Sequence, residues 1–424
     1  MKKFISFFLA IIMALTSLCL STVTSFAAAA GDVNRDNKIN ASDALMILSY
    51  CTDEISLTKN QKKSADINGD GIINSIDALF ILEVCVGIRI FENGININFA
   101  DYPTLDINWM KTVVDNYKEF SSEIGSSRRI PVIVSTDQHG SVKADSEVFK
   151  FINDLVDWNK ISKIINLGDT VSSTYNKSQL KAYNEAMKYI PMEKRLELEG
   201  NHDAHISAVR RDVSKYFPAP SAEMSKDKTA FSVTDESFNV RYLAINPMSS
   251  PWAYTTGKID TKQADFIVNE LEKTDSSDII ILAHPYLFRD AIIRRDGTTF
   301  TGSDTFVGTG KKGVDVKQSL LDMLLARKNK TSGVFVDSKG VKHPYDFTEC
   351  KGDLLMSLHG HHHTEGYETS NGFTEFLFQS YRHNGSIDDS EPNCFYFAYI
   401  DGNEKTFKCW KNIEGYSAWE IDFA

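Results

Sequence analysis

The segment "LHGHHHTEG" at residues 358–366 contains four of the ten histidines in the chain: His359, His361, His362 and His363. Imidazole is a good ligand for zinc and iron in proteins. A histidine-rich tract also occurs as a solvated loop, so the tract alone does not define a metal site. Other residues with suitable chemistry must be predicted to meet these side chains.

Further metal-competent residues follow short apolar runs, each at the point where the run ends. The runs are "RIPVIVSTDQHG", "KIINLGDTV", "RLELEGNHD", "DIIILAHPY" and "DLLMSLHGHHH". Runs of this kind are typical of buried strands, and polar residues at the carboxyl ends of such strands converge on one edge of a sheet. Helical patterns such as "TKQADFIVNELEK" lie between them, which predicts a layered α/β domain. The polar residues that end the first four runs are Asp137, His139, Asp169, Asn201, His202 and His284.

The order Asp-x-His, Gly-Asp, Gly-Asn-His-Asp, His, Gly-His-x-His resembles the calcineurin-like metallophosphoesterases over about residues 128–412. The resemblance implies a phosphoesterase domain over residues 128–424, with two β layers flanked by helices. It implies two divalent transition metals (Fe, Mn or Zn) and hydrolysis of a phosphate ester by attack of a metal-activated water. The implied ligands of the first metal are Asp137, His139, Asp169 and His363, and those of the second are Asp169, Asn201, His284 and His361.

The resemblance also implies catalytic roles beside the metal ligands. His202 would contact the phosphate and protonate the leaving oxygen. Many relatives carry an acid three residues after the bridging Asp169 that orients this histidine, but Ser172 occupies that position here. Asp203 is adjacent and is the alternative for this supporting role.

The histidine tract can be sorted further if its backbone stays extended. Side chains alternate along an extended chain, so His361 and His363 would face the same way and His362 the opposite way. His359 precedes Gly360, where the chain direction can change, and its role stays open.

Two segments of twelve residues near the start, "DVNRDNKINASD" and "DINGDGIINSID", align residue for residue. Each presents side-chain oxygens at positions 1, 3, 5, 9 and 12, with a backbone carbonyl at position 7, which is the oxygen-rich cage that Ca²⁺ prefers. Position 6 needs a sharp turn, supplied by Gly71 and, in the first copy, by Asn37, which tolerates positive φ. The predicted calcium-binding residues are Asp32, Asn34, Asp36, Lys38, Asn40 and Asp43, then Asp66, Asn68, Asp70, Ile72, Asn74 and Asp77.

The paired loops, each followed by an apolar helix, resemble a dockerin, a small all-α module that binds two Ca²⁺ and attaches enzymes to cohesin domains of cellulosome-type scaffolds. The resemblance covers about residues 31–90. In dockerins, loop positions 10 and 11 help to select the cohesin; here they are Ala41 and Ser42, then Ser75 and Ile76.

The remaining regions set the compartment and the connections. Residues 1–30 have the order of a secretory signal, with cleavage between Ala27 and Ala30, which predicts a secreted, extracellular protein without a membrane span. Residues 91–127 are predicted to be a linker followed by a helix that docks on the phosphoesterase domain.

Five cysteines follow the signal, among them Cys51 and Cys85 on the repeat helices, and we expect buried free thiols. The net charge of −11 argues against nucleic acid as a partner.

The substrate is open at this level. A phosphomonoester and a phosphodiester are both compatible with the motifs, and a binding protein without turnover is the alternative from another class. In the segment at residues 288–313, Arg289, Arg294 and Arg295 either bind substrate phosphate or lie in a solvated surface loop.

Overall fold

The structure is a computed structural model of the 424-residue chain. The predicted signal segment, Ser172 and Arg289 lie outside the residues that it describes, which are 30–92, 95–125, 128–139, 142–171, 177–204, 221–246, 258–287, 292–300, 315–369, 372–380 and 394–423. Across these ranges, no helix combines the length and the apolar composition needed to cross a membrane. The chain divides into two compact units, one up to Pro103 and one from Thr104 onward.

The first unit contains the duplicated loops. Asn40 and Asn74 precede matching helices of eleven residues, and each side chain accepts a hydrogen bond from a first-turn amide, which is the capping role that asparagine suits. A small core that includes Val33, Ile47 and Ile81 lies between the repeats. The elements are helices α1 (Ala41–Cys51), α2 (Lys59–Ala65) and α3 (Ser75–Cys85), strands β1 (Arg89–Glu92) and β2 (Ile95–Asn98), and a 3-10 turn at Phe99–Asp101.

The predicted linker region, residues 91–127, is divided between the units. The β1–β2 hairpin belongs to the first unit, where Arg89 pairs with Glu83 at 2.7 Å and Phe91 packs against the small core. The helix that follows belongs to the second unit, where Trp109 Nε1 donates to the carbonyl of Asn412 at 3.0 Å. The boundary by compactness therefore falls near residue 103.

The second unit contains the remaining elements. Its helices are α4 (Ile107–Glu123), α5 (Val142–Leu155), α6 (Lys177–Ala186), α7 (Asn201–Ala204), α8 (Thr261–Leu271) and α9 (Val316–Lys328), with 3-10 turns at Met187–Tyr189 and Met192–Lys194. Its strands are β3 (Arg129–Ser135), β4 (Lys163–Asn166), β5 (Arg195–Glu197), β6 (Glu223–Met224), β7 (Phe231–Asp235), β8 (Val240–Ala244), β9 (Asp278–Leu282), β10 (Ile292–Ile293), β11 (Thr299–Phe300), β12 (Ser332–Val336), β13 (Lys342–Asp346), β14 (Leu354–His359), β15 (Gly366–Glu368), β16 (Glu375–Leu377), β17 (Tyr396–Asp401), β18 (Thr406–Lys411) and β19 (Trp419–Asp422).

Two large mixed sheets form the centre of this unit. One has the strand order β19-β18-β17-β3-β4-β5, in which β3, β4 and β5 are parallel. The other has the order β11-β10-β15-β16-β14-β9-β8-β7-β6, in which β8, β9, β14 and β16 are parallel. Strands β12 and β13 form a separate hairpin.

The sheets pack face to face, and helices cover their outer faces. Val132 and Ile165 of the first sheet share a core with Tyr242, Ile280 and Phe376 of the second. On the far side of the nine-stranded sheet a second core joins strand residues to α8 and α9. On the six-stranded sheet, Phe120 of α4 stacks on Phe397 of β17 with ring centroids 5.4 Å apart. The predicted class, two β layers flanked by helices plus a small module with two calcium-type loops, is confirmed.

Candidate metal centres

The candidate transition-metal centre lies where parallel strands of the two sheets end. Strands β3, β4 and β5 lead directly to Asp137, Asp169 and Asn201, and strands β9 and β14 lead to His284 and His361. The structure therefore brings together side chains that are separated by more than 200 residues in the sequence. All seven predicted ligands lie in this cluster: Asp137, His139, Asp169, Asn201, His284, His361 and His363.

The backbone at this edge adopts an uncommon conformation. Five of the seven residues have φ between +49° and +75°, the left-handed region that costs energy for any residue with a Cβ. Such strain persists only when surrounding contacts fix it, and it is concentrated at functional sites. Here the amide of Asp137 donates to the carbonyl of Gly168 at 2.9 Å, and that of His139 to the carbonyl of Asp169 at 3.0 Å. The five residues are Asp137, His139, Asp169, His361 and His363.

Two glycines allow the ligand loops to approach one another. A Cβ on Gly200 would lie 2.2 Å from the amide nitrogen and Oδ1 of Asp169, and a Cβ on Gly360 would lie 1.9 Å from Thr136 Oγ1. Real Cβ atoms do not make such contacts. The Gly-Asn-His and Gly-His motifs therefore need glycine to pack the loops behind the ligands.

The first ligand group surrounds Asp137 and its atoms lie at short distances. His363 Nε2 is 3.3 Å from Asp137 Oδ1 and 3.0 Å from His139 Nε2. The other oxygen of Asp137 accepts hydrogen bonds from Thr136 Oγ1 at 2.7 Å and from the amide of His361 at 2.8 Å. One carboxylate oxygen is thus held by the protein while the other faces the imidazoles.

The second ligand group surrounds His284. Its Nδ1 donates to the carbonyl of Leu167 at 2.8 Å, which leaves Nε2 directed at the cluster. His284 Nε2 lies 3.2 Å from Asp169 Oδ2 and 3.2 Å from Asn201 Oδ1. Asp169 also belongs to a group with His139 and His202, so its carboxylate lies between both halves of the site.

The charges of the cluster favour a cation. Burial opposes the ionisation of Asp137 and Asp169, yet neighbouring histidines, His284 foremost, hold the pKa of each carboxyl well below its ordinary value. Burial lowers the pKa of His284, but Asp169 and Asp137 outweigh it and raise that pKa to about 9. Burial lowers the pKa of His361 to about 3. The two ionised carboxylates and the neutral imidazole of His361 are suitable ligands for a divalent ion, and a metal would displace the proton of His284 Nε2 on binding.

An incompletely satisfied oxygen gives an independent test of whether a metal fits. Asp137 Oδ1 is fully buried, and no hydrogen bond of ordinary geometry reaches it from the described residues. A buried carboxylate oxygen without such a partner is costly unless a cation or another polar group compensates it. The residues present therefore fit a metal at this position.

His202 and Asp203 occupy different places beside the cluster. The His202 ring is 28% exposed and its Nε2 lies 3.9 Å from Asp169 Oδ2. Asp203 is buried, and its two oxygens accept hydrogen bonds from the amides of Thr170, Val171 and Gly200 at 3.0–3.2 Å. These bonds brace the loops that carry Asp169 and Asn201, so a role in orienting the His202 ring stays a prediction.

The remaining tract histidines point elsewhere. His359 is fully buried, with Nε2 2.8 Å from Ser357 Oγ and 3.1 Å from Glu375 Oε1. His362 stacks on Tyr286, with ring centroids 4.9 Å apart. The tract is not extended, because His361 and His363 both have positive φ, and these turns, rather than strand alternation, direct their rings into the site.

The calcium-type loops of the first unit share one hydrogen-bonding pattern. The carboxylate at position 12 accepts from amides near the loop start, as Asp43 Oδ1 does from Val33 at 2.8 Å and Asp77 Oδ1 from Ile67 at 2.9 Å. Position 6 has positive φ in both, 64° at Asn37 and 80° at Gly71, as expected. Asp66 Oδ1 is buried without a hydrogen bond within the described part of the chain. The loops thus turn their oxygens inward, as a Ca²⁺ site requires.

Two interpretations of individual side chains need correction. Cys51 is exposed rather than buried, because it lies at the C-terminal end of α1, outside the small core, while Cys350, Cys394 and Cys409 are buried. Arg295 is neither a solvated side chain nor available for phosphate. It pairs with Glu365 at 2.6 Å and donates to the carbonyl of Ser417 at 2.6 Å.

Residues 30–83 match the family profile of the dockerin type I domain, and this part of the chain is therefore a dockerin type I domain. No curated protein matches the chain. Among solved structures, a conserved uncharacterized protein of Streptococcus pneumoniae, described as a predicted phosphoesterase, is 12% identical with a TM-score of 0.30, over 70% of this chain and 99% of that chain.

Two further structures are similar at the same level. GAP50, described as the anchor in the inner membrane complex of Plasmodium, is 10% identical with a TM-score of 0.36, over 70% of this chain and 89% of that chain. Phosphopantetheinyl hydrolase of Mycobacterium tuberculosis is 10% identical with a TM-score of 0.31, over 60% of this chain and 91% of that chain. The function proposed below depends on the side chains of this chain and not on these likenesses.

Proposed function

We propose that the second unit is a metal-dependent phosphoesterase and that the dockerin attaches it to a cohesin-bearing, cellulosome-type scaffold outside the cell. The observation that carries the enzymatic proposal is the cluster at the strand ends, in which Asp169 lies between two groups of ligands. Asp137 Oδ1, which is buried and receives no hydrogen bond of ordinary geometry from the described residues, supports the presence of a cation there.

Two divalent transition metals (Fe, Mn or Zn) held in this cluster would neutralise the phosphate and activate a water for attack on phosphorus. Asp137, His139, Asp169 and His363 would hold one metal, and Asp169, Asn201, His284 and His361 the other. Amide and imidazole ligands beside carboxylates favour these metals over Ca²⁺.

The candidate ligands and the candidate general acid differ in how exposed they are. Asp137, Asp169, Asn201 and His284 are buried and fixed by hydrogen bonds, which suits ligands. His202 is held through its amide, which donates to Asp169 Oδ1 at 2.8 Å, and its ring is 28% exposed beside the cluster. From there it would hydrogen-bond the phosphate and deliver a proton to the leaving oxygen.

The dockerin would bind its cohesin through exposed side chains on the repeat helices. Ile76 and Leu79 of α3, and Val86 directly after it, are about half exposed. The equivalent positions of the first repeat are Ser42, Leu45 and Thr52, of which only Leu45 is apolar, at 40% exposure. Ala41, predicted as a contact, is only 7% exposed and offers little surface. An exposed apolar helix face supports α3 as the main contact.

One experiment tests the enzymatic proposal and its alternatives together. The purified chain, stripped with chelator, is reconstituted with Mn²⁺, Zn²⁺ or Fe²⁺, and its metal content and its hydrolysis of mono- and diester panels are measured. We expect two equivalents of transition metal and phosphoester hydrolysis, with the preferred ester class read from the panel. Metal uptake without turnover of either class would favour a binding protein, and no uptake beyond Ca²⁺ would contradict the proposal.

A further inference from the structure

We propose that His359 is a positioning residue that fixes the backbone on both sides of His284 and so holds this candidate ligand in place. The inference rests on the proposed metal-dependent function. It concerns the one histidine of the tract that the sequence leaves unassigned.

The backbone around His284 needs hydrogen-bond donors from elsewhere. Strand β9 ends at Leu282, and the next five residues leave the strand while remaining buried. Pro285 has no amide hydrogen, so the segment cannot continue a regular ladder. Its buried carbonyls must still be paired, because an unsatisfied buried carbonyl is costly.

His359 supplies the donor. Its Nδ1 lies 3.1 Å from the carbonyl oxygen of Ala283 and 2.9 Å from that of Pro285. Carbonyl oxygens only accept hydrogen bonds, so Nδ1 carries the proton and donates to both. The two carbonyls flank His284, and one imidazole thus bridges the residues before and after it.

Residues near His359 make further hydrogen bonds to residues 283–287, and we call the whole set of bonds the clamp. The amide of Gly360 donates to the carbonyl of His284 at 2.9 Å. Glu375 Oε1, 3.1 Å from His359 Nε2, accepts the amide of Leu287 at 2.9 Å. Residues at the ends of β14 and β16 therefore hold the segment at four points, while His359 itself is fully buried and coordinates nothing.

These hydrogen bonds determine where the His284 ring points. Its Nε2 lies 3.2 Å from Asp169 Oδ2 and from Asn201 Oδ1, distances that a shift of the backbone at residue 284 would change. Misplacing a ligand through its supporting shell typically weakens metal binding by about 10–100-fold. The loss should concern the site that contains His284 and spare the site that contains His363.

Isosteric variants separate the clamp from a general role in stability. His359→Asn places an amide donor near the position of Nδ1, whereas His359→Leu has a similar shape and no donor. Ser357→Ala removes the contact of Nε2 with Ser357 Oγ and keeps the contact with Glu375. We expect Mn²⁺ titrations of the stripped chain, with Ca²⁺ present, to show one site weakened about 10–100-fold in His359→Leu and both sites near wild type in His359→Asn and Ser357→Ala.

Equal losses in the Asn and Leu variants, or wild-type affinity at both sites in His359→Leu, would overturn the clamp. If circular dichroism shows His359→Leu unfolded, His359→Gln replaces it, since its amide reaches toward Ser357 and Glu375 but not toward the two carbonyls. A wild-type chain that takes up no Mn²⁺ would instead refute the proposed function, so the two failures are distinguishable.

Discussion

The two ion-binding regions of this chain are built in opposite ways. Each calcium-type loop takes its candidate ligands from twelve consecutive residues, and the unit that contains the loops has a core of nine buried aliphatic side chains. The candidate transition-metal centre takes ligands from residues 137 to 363, and two packed sheets position them. A local site depends on its ion for its shape, whereas a site carried by a large core is shaped before the metal arrives.

The largest expected effect is on the candidate transition-metal centre, whose ligands are far apart in the sequence. Asp169→Ala should lower kcat by about 10⁴-fold, because the charge stabilisation shared by both metals is worth several kcal/mol. The second unit should nevertheless stay folded. Asp137→Ala and His284→Ala should each deplete chiefly one metal, with the exposed Asp115→Ala as the control. Kinetics, metal analysis and thermal unfolding measure these effects, and near-wild-type turnover in Asp169→Ala would contradict the dinuclear site.

Removing calcium tests whether the dockerin depends on its ions for its folded structure. A ligand present at about a thousand times its Kd contributes about 4 kcal/mol, so EDTA should reduce amide protection in residues 30–90 by about a thousandfold for each Ca²⁺ lost. The same treatment should leave the sheets of the second unit protected. Hydrogen exchange on the full chain reports both regions. Unchanged protection in the dockerin would show that its core suffices without the ion.

Within the histidine tract, His362 serves as a control for the candidate ligands His361 and His363. His361→Ala and His363→Ala should each weaken metal binding and activity by more than about a hundredfold, because a direct ligand is lost. His362→Ala, which removes a ring stacked on Tyr286, should cost at most about 10–100-fold. Titration calorimetry with Mn²⁺ and steady-state kinetics decide between them. Equal losses at all three positions would mean that the direction of the rings does not matter.

His202 should affect chemistry and not metal content. His202→Ala should lower kcat about a hundredfold for esters with poor leaving groups, because proton delivery to the leaving oxygen is lost. The penalty should shrink for nitrophenyl esters, which need little protonation, and both metals should remain bound. A penalty that is uniform across leaving-group pKa would remove His202 as the general acid.

The smallest expected effect is at the dockerin surface. Ile76→Asp should weaken cohesin binding about tenfold, since about half of an isoleucine side chain would lose its apolar contact. Ser42→Asp, at the equivalent position of the first repeat, should cost less, and the double variant should bind more weakly than either single variant. Surface plasmon resonance against candidate cohesins measures the three variants. Normal binding by the double variant would show that these helices are not the contact.

Sequence reasoning succeeded where chemistry follows local pattern. Apolar runs that end in Asp137 and Asp169 predicted neighbouring parallel strands, whose polar ends meet at one edge of a sheet. His284 follows β9 of the other sheet, and the packing of the two sheets, which the sequence did not indicate, brings it to the same place. The loops of the dockerin were predictable because their ligand spacing lies within one segment. Both features are encoded in neighbouring residues.

The features that the sequence did not predict depend on contacts between distant residues. The left-handed turns at His361 and His363 accompany the hydrogen bond from the His361 amide to Asp137 Oδ2, 224 residues away. The extended tract was therefore a wrong premise, although both rings lie in the cluster. The engagement of Arg295 with Glu365 and the burial of His359 against Glu375 have no local signature either. Cys51 sits on an apolar helix, yet it is exposed at the end of that helix, where its Sγ lies 3.8 Å from the carbonyl oxygen of Ile73 in the second repeat.

The pairing of β17 with β3 has a consequence for how the chain is made. Arg129 lies opposite Asp401 at one end of this pairing, which sits in the middle of the six-stranded sheet. At about 5–20 residues per second, the partner strand leaves the ribosome tens of seconds after β3. During that interval β3 has an unpaired edge, whereas the dockerin, with its short-range contacts, can already fold. We therefore expect the second unit to acquire its structure late and slowly, with the exposed edge of β3 as its point of greatest risk of aggregation.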